Sequence, residues 1–196
     1  MEFLAASALA FGAIFVAEFG DKSQLLILAF ATRYAARPVI VGVILAAAII
    51  SGISVGIGAV IGAALPGTAV AVISGIAFLA VAAWTLRGED EDEDATAETT
   101  GARRLAGLAL VLTVAGTFVL SELGDKTMLA TFALAATQGA LPTWIGATAG
   151  EVAANLVAVV VGRQVGHRLS TRMVRIGSAA LFAVAGLAVL LGAWLG

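Results

Sequence analysis

Residues 18–23, with the sequence EFGDKS, recur 104 positions later as residues 122–127, with the sequence ELGDKT. The same offset, without any gap, also pairs Pro38 with Pro142. Chance explains single matches in a chain rich in alanine, glycine and valine, but it does not explain two copies of E-x-G-D-K-[ST]. We therefore interpret the chain as an internally duplicated protein, and the duplicated hexapeptide as the key to its fold.

The composition excludes a soluble globular protein. Of the 196 residues, 61% are hydrophobic and 12% are charged, and the mean hydropathy is +1.05. Soluble domains carry about 25% charged residues. The chain has no cysteine and a single histidine, His167, so disulfides, thiolate metal sites and multi-histidine metal centres are excluded as well. The composition indicates an integral membrane protein.

Six apolar stretches are candidates for membrane spans. A helix needs about 20 residues to cross a bilayer, and all but the third stretch reach that length. We therefore predict an all-α integral membrane fold with six transmembrane helices. They are expected near residues 3–32, 39–63, 69–86, 105–136, 143–162 and 173–195.

The duplication divides these spans into two repeats of three helices, at residues 1–86 and 105–196, joined by an acidic linker at 87–104. Because three is odd, the second repeat must enter the membrane in the opposite orientation, which is a recurring architecture of secondary transporters. All nine arginines lie in or beside the first, third and fifth loops. Since positive loops face the cytoplasm, we predict a cytoplasmic central loop and both termini outside.

Four acids of the repeated hexapeptides, Glu18, Asp21, Glu122 and Asp125, lie near the middle of long apolar spans. A charged side chain at that depth costs about 2.5–3.5 kcal/mol on insertion scales, so these acids indicate a function. Acids three residues apart share one helix face, so each pair is expected to point in one direction. If the inverted repeats bring both pairs together, the oxygens suit a hard divalent cation such as calcium, manganese or magnesium.

Five neighbouring polar residues are expected to support this metal site. Ser23 and Thr127 offer hydroxyl oxygens, Gln24 offers an amide oxygen, and Lys22 and Lys126 would partly neutralise the acids when no metal is bound. A proton and a metal ion would compete for the same oxygens, which is the chemical requirement of an antiporter. The alternative is that each lysine only forms an ion pair with the glutamate four residues before it.

Glu151 is a fifth acid at membrane depth, and Asn155 follows one helical turn later. The equivalent of Glu151 in the first repeat is Ala47, so this pair breaks the symmetry. Glu151 is predicted to couple protons or to act as an additional metal ligand. Alternatively it forms a salt bridge with Lys22 or Lys126. Asn155 is either part of this group or only an interhelical contact.

Two copies of E-x-G-D-[KR]-[ST], separated by an acidic linker, resemble the Gdt family of cation exchangers, which is related to the LysE transporter superfamily. The resemblance covers nearly the whole chain and places the family motif on residues 18–23 and 122–127. It implies transport of manganese, calcium or both in exchange for protons, and in bacteria the export of manganese. A glutamine often follows the motif in this family; Gln24 fits and Met128 departs from the pattern.

The predicted function is therefore a divalent cation/proton antiporter, not an enzyme, with no catalytic residues and no prosthetic group. Its expected partners are manganese(II) or calcium(II), protons and the lipid bilayer, without nucleic acid; a homo-oligomer is possible. The short chain, without a targeting extension, favours a bacterial inner membrane. Two alternatives are an exporter of a cationic metabolite such as a basic amino acid, and a membrane scaffold without transport activity.

Overall fold

The computed structural model describes residues 2–19, 21–87, 107–165 and 171–195. Over these residues the chain forms eight α-helices and no β-strand, so the predicted all-α fold is confirmed. Gly20 and residues 88–104 of the predicted acidic linker lie outside the described residues. The helices are α1 (Glu2–Glu18), α2 (Lys22–Arg33), α3 (Ala36–Ala64), α4 (Gly67–Arg87), α5 (Gly107–Glu122), α6 (Lys126–Gln138), α7 (Ala140–Val165) and α8 (Thr171–Leu195).

Large apolar side chains lie on the outside of the molecule, whereas several carboxylates lie inside it. Along α3, for example, Val41, Ile49 and Ile57 are exposed, while the hydroxyl-bearing Ser51 and Ser54 are buried. A soluble protein would reverse this distribution. The arrangement matches a molecule whose surrounding solvent is lipid, and we treat the chain as a multi-pass membrane protein.

Two of the described helices, α3 and α4, are each long and apolar enough to cross a membrane, and the bent pair α5 and α6 counts as a third if it forms one span. The 17 residues of α1 extend only about 25 Å at about 1.5 Å per residue, less than the roughly 30 Å hydrocarbon core. In α8 a shorter apolar stretch covers Ala179–Trp194.

The two spans predicted at residues 3–32 and 105–136 are each broken in the middle. Helix α1 ends at Glu18 and α2 begins at Lys22, while α5 ends at Glu122 and α6 begins at Lys126. The axes of α5 and α6 differ by 81°, and Gly124 in the break has φ +83°, a conformation that glycine adopts without steric cost. The expectation that acids three residues apart share a helix face is therefore wrong, because each aspartate lies in the break.

The helices of the two predicted repeats intertwine. Helix α1 packs mainly against α7, α5 against α3, α4 against α8, and α6 against both α3 and α4. The rings of Phe78 and Phe182, which the 104-residue offset relates, stack on each other with centroids 6.1 Å apart. As a result, the break between α1 and α2 faces the break between α5 and α6 in the interior.

Candidate metal-binding site

Three carboxylates from the two breaks form a cluster. One carboxylate oxygen from each of Glu18, Asp21 and Asp125 lies within 4.8 Å of the others. Glu18 is fully buried and the two aspartates are 6% exposed. The tertiary structure thus joins acids that are about a hundred residues apart in the sequence, as a shared site at the meeting point of the repeats requires.

Glu122 lies beside this carboxylate cluster, and its charge interacts with those of Asp125 and Asp21. The Thr127 hydroxyl donates a hydrogen bond of 3.4 Å to Glu122 Oε2. In the first motif, the Ser23 hydroxyl donates in the same way to Glu18 Oε2 at 3.3 Å. Each glutamate is therefore contacted by the hydroxyl group five residues later, and the two motifs have the same local design.

A buried ion pair connects the two motifs. The ammonium group of Lys126, at the start of α6, donates to Asp21 Oδ2 in the other break. This contact differs from the pair with Glu122 that a continuous helix would favour, because the break turns Lys126 toward the first motif. It also differs from the alternative of a bridge to Glu151. The side chain of Lys22 lies outside the described part of the chain.

The helix ends around the cluster add to its electrostatics. Helices α2 and α6 begin directly after Asp21 and Asp125, so their positive ends lie next to carboxylates. The Asp125 side chain makes no capping bond to α6. Helices α1 and α5 end at Glu18 and Glu122, whose backbone oxygens accept hydrogen bonds from the Asp21 and Asp125 amides within the breaks. Broken helices of this kind provide ion sites in secondary transporters.

Gln24 has a structural role in the described geometry. Its amide Nε2 donates to the backbone oxygen of Glu18 at 2.7 Å and to that of Ala154 at 3.4 Å. These bonds join the start of α2 to the end of α1 and to the middle of α7. The amide group thereby supports the position of Glu18.

Glu151 and Asn155 lie on α7 next to the cluster, and the charge of Glu151 interacts with that of Glu18. The Ser51 hydroxyl donates to Glu151 Oε2 at 3.4 Å, and the Asn155 amide donates to the Glu151 backbone oxygen at 2.9 Å. Glu151 Oε1 and Asn155 Oδ1 are buried without a hydrogen-bond partner among the described residues. Each therefore has an oxygen that a ligand would satisfy.

Of the hydroxyl groups near Glu151, sequence reasoning singled out Thr127 but not Ser51, Ser54 and Thr131. A cavity of about 10 Å³ between α3, α6 and α7 is lined by Ile50, Ser51, Ser54, Thr127, Met128, Thr131 and Glu151. The available signal was the spacing of the hydroxyl residues, three apart on α3 and four apart on α6, which places each pair on one helix face.

A second cavity, of about 160 Å³, lies between α2, α3 and α7. Asn155 is its polar lining residue, and the others are apolar: Ile27, Ala31, Ala36, Val39, Ile40, Val43, Leu156 and Val160. The 104-residue offset relates two of its lining residues, Ile27 and Asn155, to Thr131 and Ser51 of the first cavity. The two cavities differ in size and in polarity.

The cluster offers the oxygen ligands that a cation-binding centre would use. The cluster contains carboxylates and no described nitrogen or sulfur ligand, which suits hard or borderline divalent ions. When all three carboxylates are deprotonated, their charge exceeds that of the one ammonium group in a region of low dielectric constant. The deprotonated site therefore attracts a cation.

Comparison with known proteins identifies relatives over nearly the whole chain. The family model described as "Divalent cation/proton antiporter GDT1" matches residues 6–93 and 110–196. A protein of Vibrio cholerae serotype O1, provisionally named a manganese exporter, is 28% identical over 88% of this chain and 84% of its own length. The chloroplastic protein PAM71 of Arabidopsis thaliana is 32% identical over 89% of this chain. This chain spans about half of PAM71, with 54% covered.

No solved structure matches the chain. The family match covers both motifs and both predicted repeats, and it confirms the resemblance that the doubled motif indicated. The family consists of transporters, so the prediction of a protein that is not an enzyme is confirmed as well. Among the alternatives, it favours divalent cations over a cationic metabolite and over a scaffold. The chain belongs to the GDT1 family of divalent cation/proton antiporters.

Proposed function

We propose that this antiporter exports manganese(II) from the cytoplasm of a bacterium across the inner membrane in exchange for protons. The observation that carries the proposal is the buried cluster of Glu18, Asp21 and Asp125, whose oxygens converge within 4.8 Å. The bacterial relative provisionally named a manganese exporter supports both the ion and the membrane. Calcium(II) is the second candidate ion, because it also takes oxygen ligands.

In this proposal the metal is bound directly by Glu18, Asp21 and Asp125. Glu122 becomes a further ligand as the ion moves between the motifs. The hydroxyls of Ser23 and Thr127 orient the glutamates, each through one hydrogen bond, and Gln24 supports Glu18 through its backbone oxygen. Lys22 has the same role in the first motif as Lys126 has in the second, that of a counter-charge. Glu151 and Asn155 belong to an additional position beside the cluster.

Lys126 acts as a resident counter-charge for Asp21. Leaving one member of a buried ion pair without its partner costs about 3–5 kcal/mol, so the metal-free site retains the ammonium group. A divalent ion that binds Asp21 must displace Lys126. Protons that later bind the carboxylates replace the metal. The empty, protonated site then returns to the other side of the membrane without an uncompensated charge. This competition couples the two fluxes.

We also propose that the fold comprises six spans in two inverted repeats, with a cytoplasmic linker and external termini. The stacking of Phe78 on Phe182 supports a two-fold relation, since residues related by an axis contact each other where they lie on it. The matching hydrogen bonds of Ser23 and Thr127 support it too. Impermeant thiol labelling of single cysteines in the linker and near each terminus tests the orientation, because the chain has no cysteine.

The proposed exchange is tested in proteoliposomes with an acidic interior and a neutral exterior. Addition of manganese(II) outside is expected to cause manganese uptake together with alkalinisation of the interior, because each entering ion replaces protons at the carboxylates. Calcium(II) in a parallel experiment ranks the two ions. Both signals are followed by fluorescent dyes enclosed in the vesicles.

Three controls accompany the flux measurement. Protein-free liposomes and vesicles whose pH gradient is dissipated by nigericin are expected to show little uptake. Excess arginine is expected to leave the manganese flux unchanged, because a basic amino acid is not the substrate. Manganese uptake that is independent of the pH gradient would contradict proton exchange, and inhibition by arginine would favour the cationic-metabolite alternative.

A further inference from the structure

The small cavity beside Glu151 differs from the carboxylate cluster in its chemistry. We propose that it is a second, transient site for the transported ion, and that Met128 makes this site selective for transition-metal ions such as manganese(II) over calcium(II). The inference rests on the proposed function, since it concerns the path of the same ion. The volume of the cavity, about 10 Å³, is enough for one particle of the size of a water molecule.

The lining of this cavity provides the ligands. Glu151 is 4% exposed, and its Oε1 lacks a hydrogen-bond partner among the described residues. Hydroxyl groups of Ser51, Ser54 and Thr131 complete the polar surface, and all three residues are buried. A buried carboxylate oxygen without a partner is costly, and a bound cation removes that cost.

Through Thr127 the cavity adjoins Glu122, which lies beside the carboxylate cluster. Thr127 lines the cavity, and its hydroxyl also contacts Glu122 Oε2 at 3.4 Å. The cavity has one carboxylate, whereas the cluster has three, so a divalent ion is held less strongly in the cavity. A weak site next to a strong one suits a transient site through which the ion enters or leaves the cluster, because transport requires release of the ion as well as binding.

Met128 is the chain's own departure from the sequence pattern of the first motif. The equivalent residue is Gln24, whose amide is used for bonds to the backbone oxygens of Glu18 and Ala154. In the second motif, Met128 instead lines the cavity with Glu151 and the hydroxyl groups. The sequence repeat therefore places a thioether where the first repeat has an amide.

A thioether discriminates between the two candidate ions. Calcium is a hard cation and is bound in proteins through oxygen. Manganese(II) also prefers oxygen ligands, and thioethers favour softer ions, but manganese(II) is the softer of the two candidates. A cavity wall partly made of methionine therefore disfavours calcium(II) more than manganese(II). Cadmium(II), which is softer than either, is expected to compete well.

The experiment compares the wild-type protein with Met128→Leu in the same proteoliposomes. The ratio of manganese(II) to calcium(II) flux is expected to fall by about tenfold, within the range of effects that changes around a metal site produce. Inhibition of the flux by cadmium(II) is expected to weaken in the same variant. Met128→Gln restores the residue of the first motif and is expected to change the ratio in the same direction.

Two further variants make the test specific. Leu129→Met adds a thioether next along α6, at a residue that packs against the apolar core, and is expected to leave the ratio unchanged. In a Glu151→Gln background, Met128→Leu is expected to have no further effect on the ratio, because coupled residues of one site are not additive.

The outcomes separate the inference from the proposed function. If the wild type exchanges manganese for protons and both Met128 variants keep its ion ratio, the second site is overturned and the proposed function stands. An effect of Met128→Leu that persists unchanged in the Glu151→Gln background also overturns it. If the wild type exchanges neither ion for protons, the proposed function itself fails.

Discussion

Replacing Asp21 or Asp125 with asparagine is expected to lower the affinity for manganese(II) at least about 100-fold and to abolish proton-coupled flux. Even residues that only support metal ligands contribute about 10–100-fold to metal affinity, and these two aspartates belong to the buried cluster itself. Asparagine keeps the shape of the side chain but removes its charge and one ligand oxygen. Equilibrium binding of manganese(II) to purified protein, together with flux in proteoliposomes, measures both effects.

Asp92→Asn is the matched control. It makes the same chemical change in the predicted linker, which lies outside the described residues, and it is expected to leave the affinity unchanged. Elution as a single species on size-exclusion chromatography shows whether each variant is folded. Folded Asp21→Asn and Asp125→Asn proteins with wild-type exchange would show that the metal binds elsewhere.

Lys126→Met removes a positive charge from the site, whereas the aspartate variants remove a negative one. It removes the counter-charge of Asp21, so the metal-free protein is expected to be less stable, and manganese(II) is expected to raise its unfolding temperature more than that of the wild type. A ligand that binds only the folded state stabilises it by RT ln(1 + [L]/Kd), so tighter binding gives a larger rise. A smaller rise than in the wild type would contradict the role of Lys126 as a competitor of the metal.

Gly58→Ala is expected to destabilise the protein by about 1–3 kcal/mol or more, the usual cost of overpacking, and to reduce transport. A Cβ atom at this position of α3 would lie 2.2 Å from the Phe132 backbone oxygen and 2.9 Å from Ala135 Cβ on α6. The backbone of α6 must therefore shift. Because α6 begins at Lys126, this shift disturbs the ion pair and the cluster as well.

Gly56→Ala is the control on the same helix. Its Cβ would meet no atom within 4 Å, and alanine favours a helix over glycine by about 1 kcal/mol, so its stability is expected to be equal or higher. Unfolding temperatures in detergent, measured for both variants, test the comparison. Equal temperatures for the two variants would contradict the close approach of α3 and α6.

Much of the functional prediction depended on local sequence alone. Glu18, Asp21, Glu122 and Asp125 were identified as a candidate site because charged groups in apolar segments are costly, and that reasoning needs no knowledge of the fold. The repeat offset indicated which residues are equivalent. The all-α fold and the family were predicted correctly on this basis, while six inverted spans remain a proposal.

Other features could not be obtained in this way. The helix ends at Glu18 and Glu122 were not predicted, because the glycine in each motif permits a break but does not show where the backbone turns. The hydroxyls of Ser51, Ser54 and Thr131 were missed because single polar residues in a span usually have no function. Only the packing of α3, α6 and α7 shows that these hydroxyl groups lie around Glu151.

The sequence by itself indicated that the protein lies in a membrane, that it is internally duplicated, and which residue types form its candidate site. Composition, repetition and the cost of buried charge can all be read from the chain without its fold. The tertiary structure decided which acids lie together, that Lys126 contacts Asp21 of the other motif, and that Met128 lines a cavity with Glu151. Between the two motifs and α7, these contacts join residues 23 to 107 positions apart. Packing between helices creates them, and no local pattern encodes that packing.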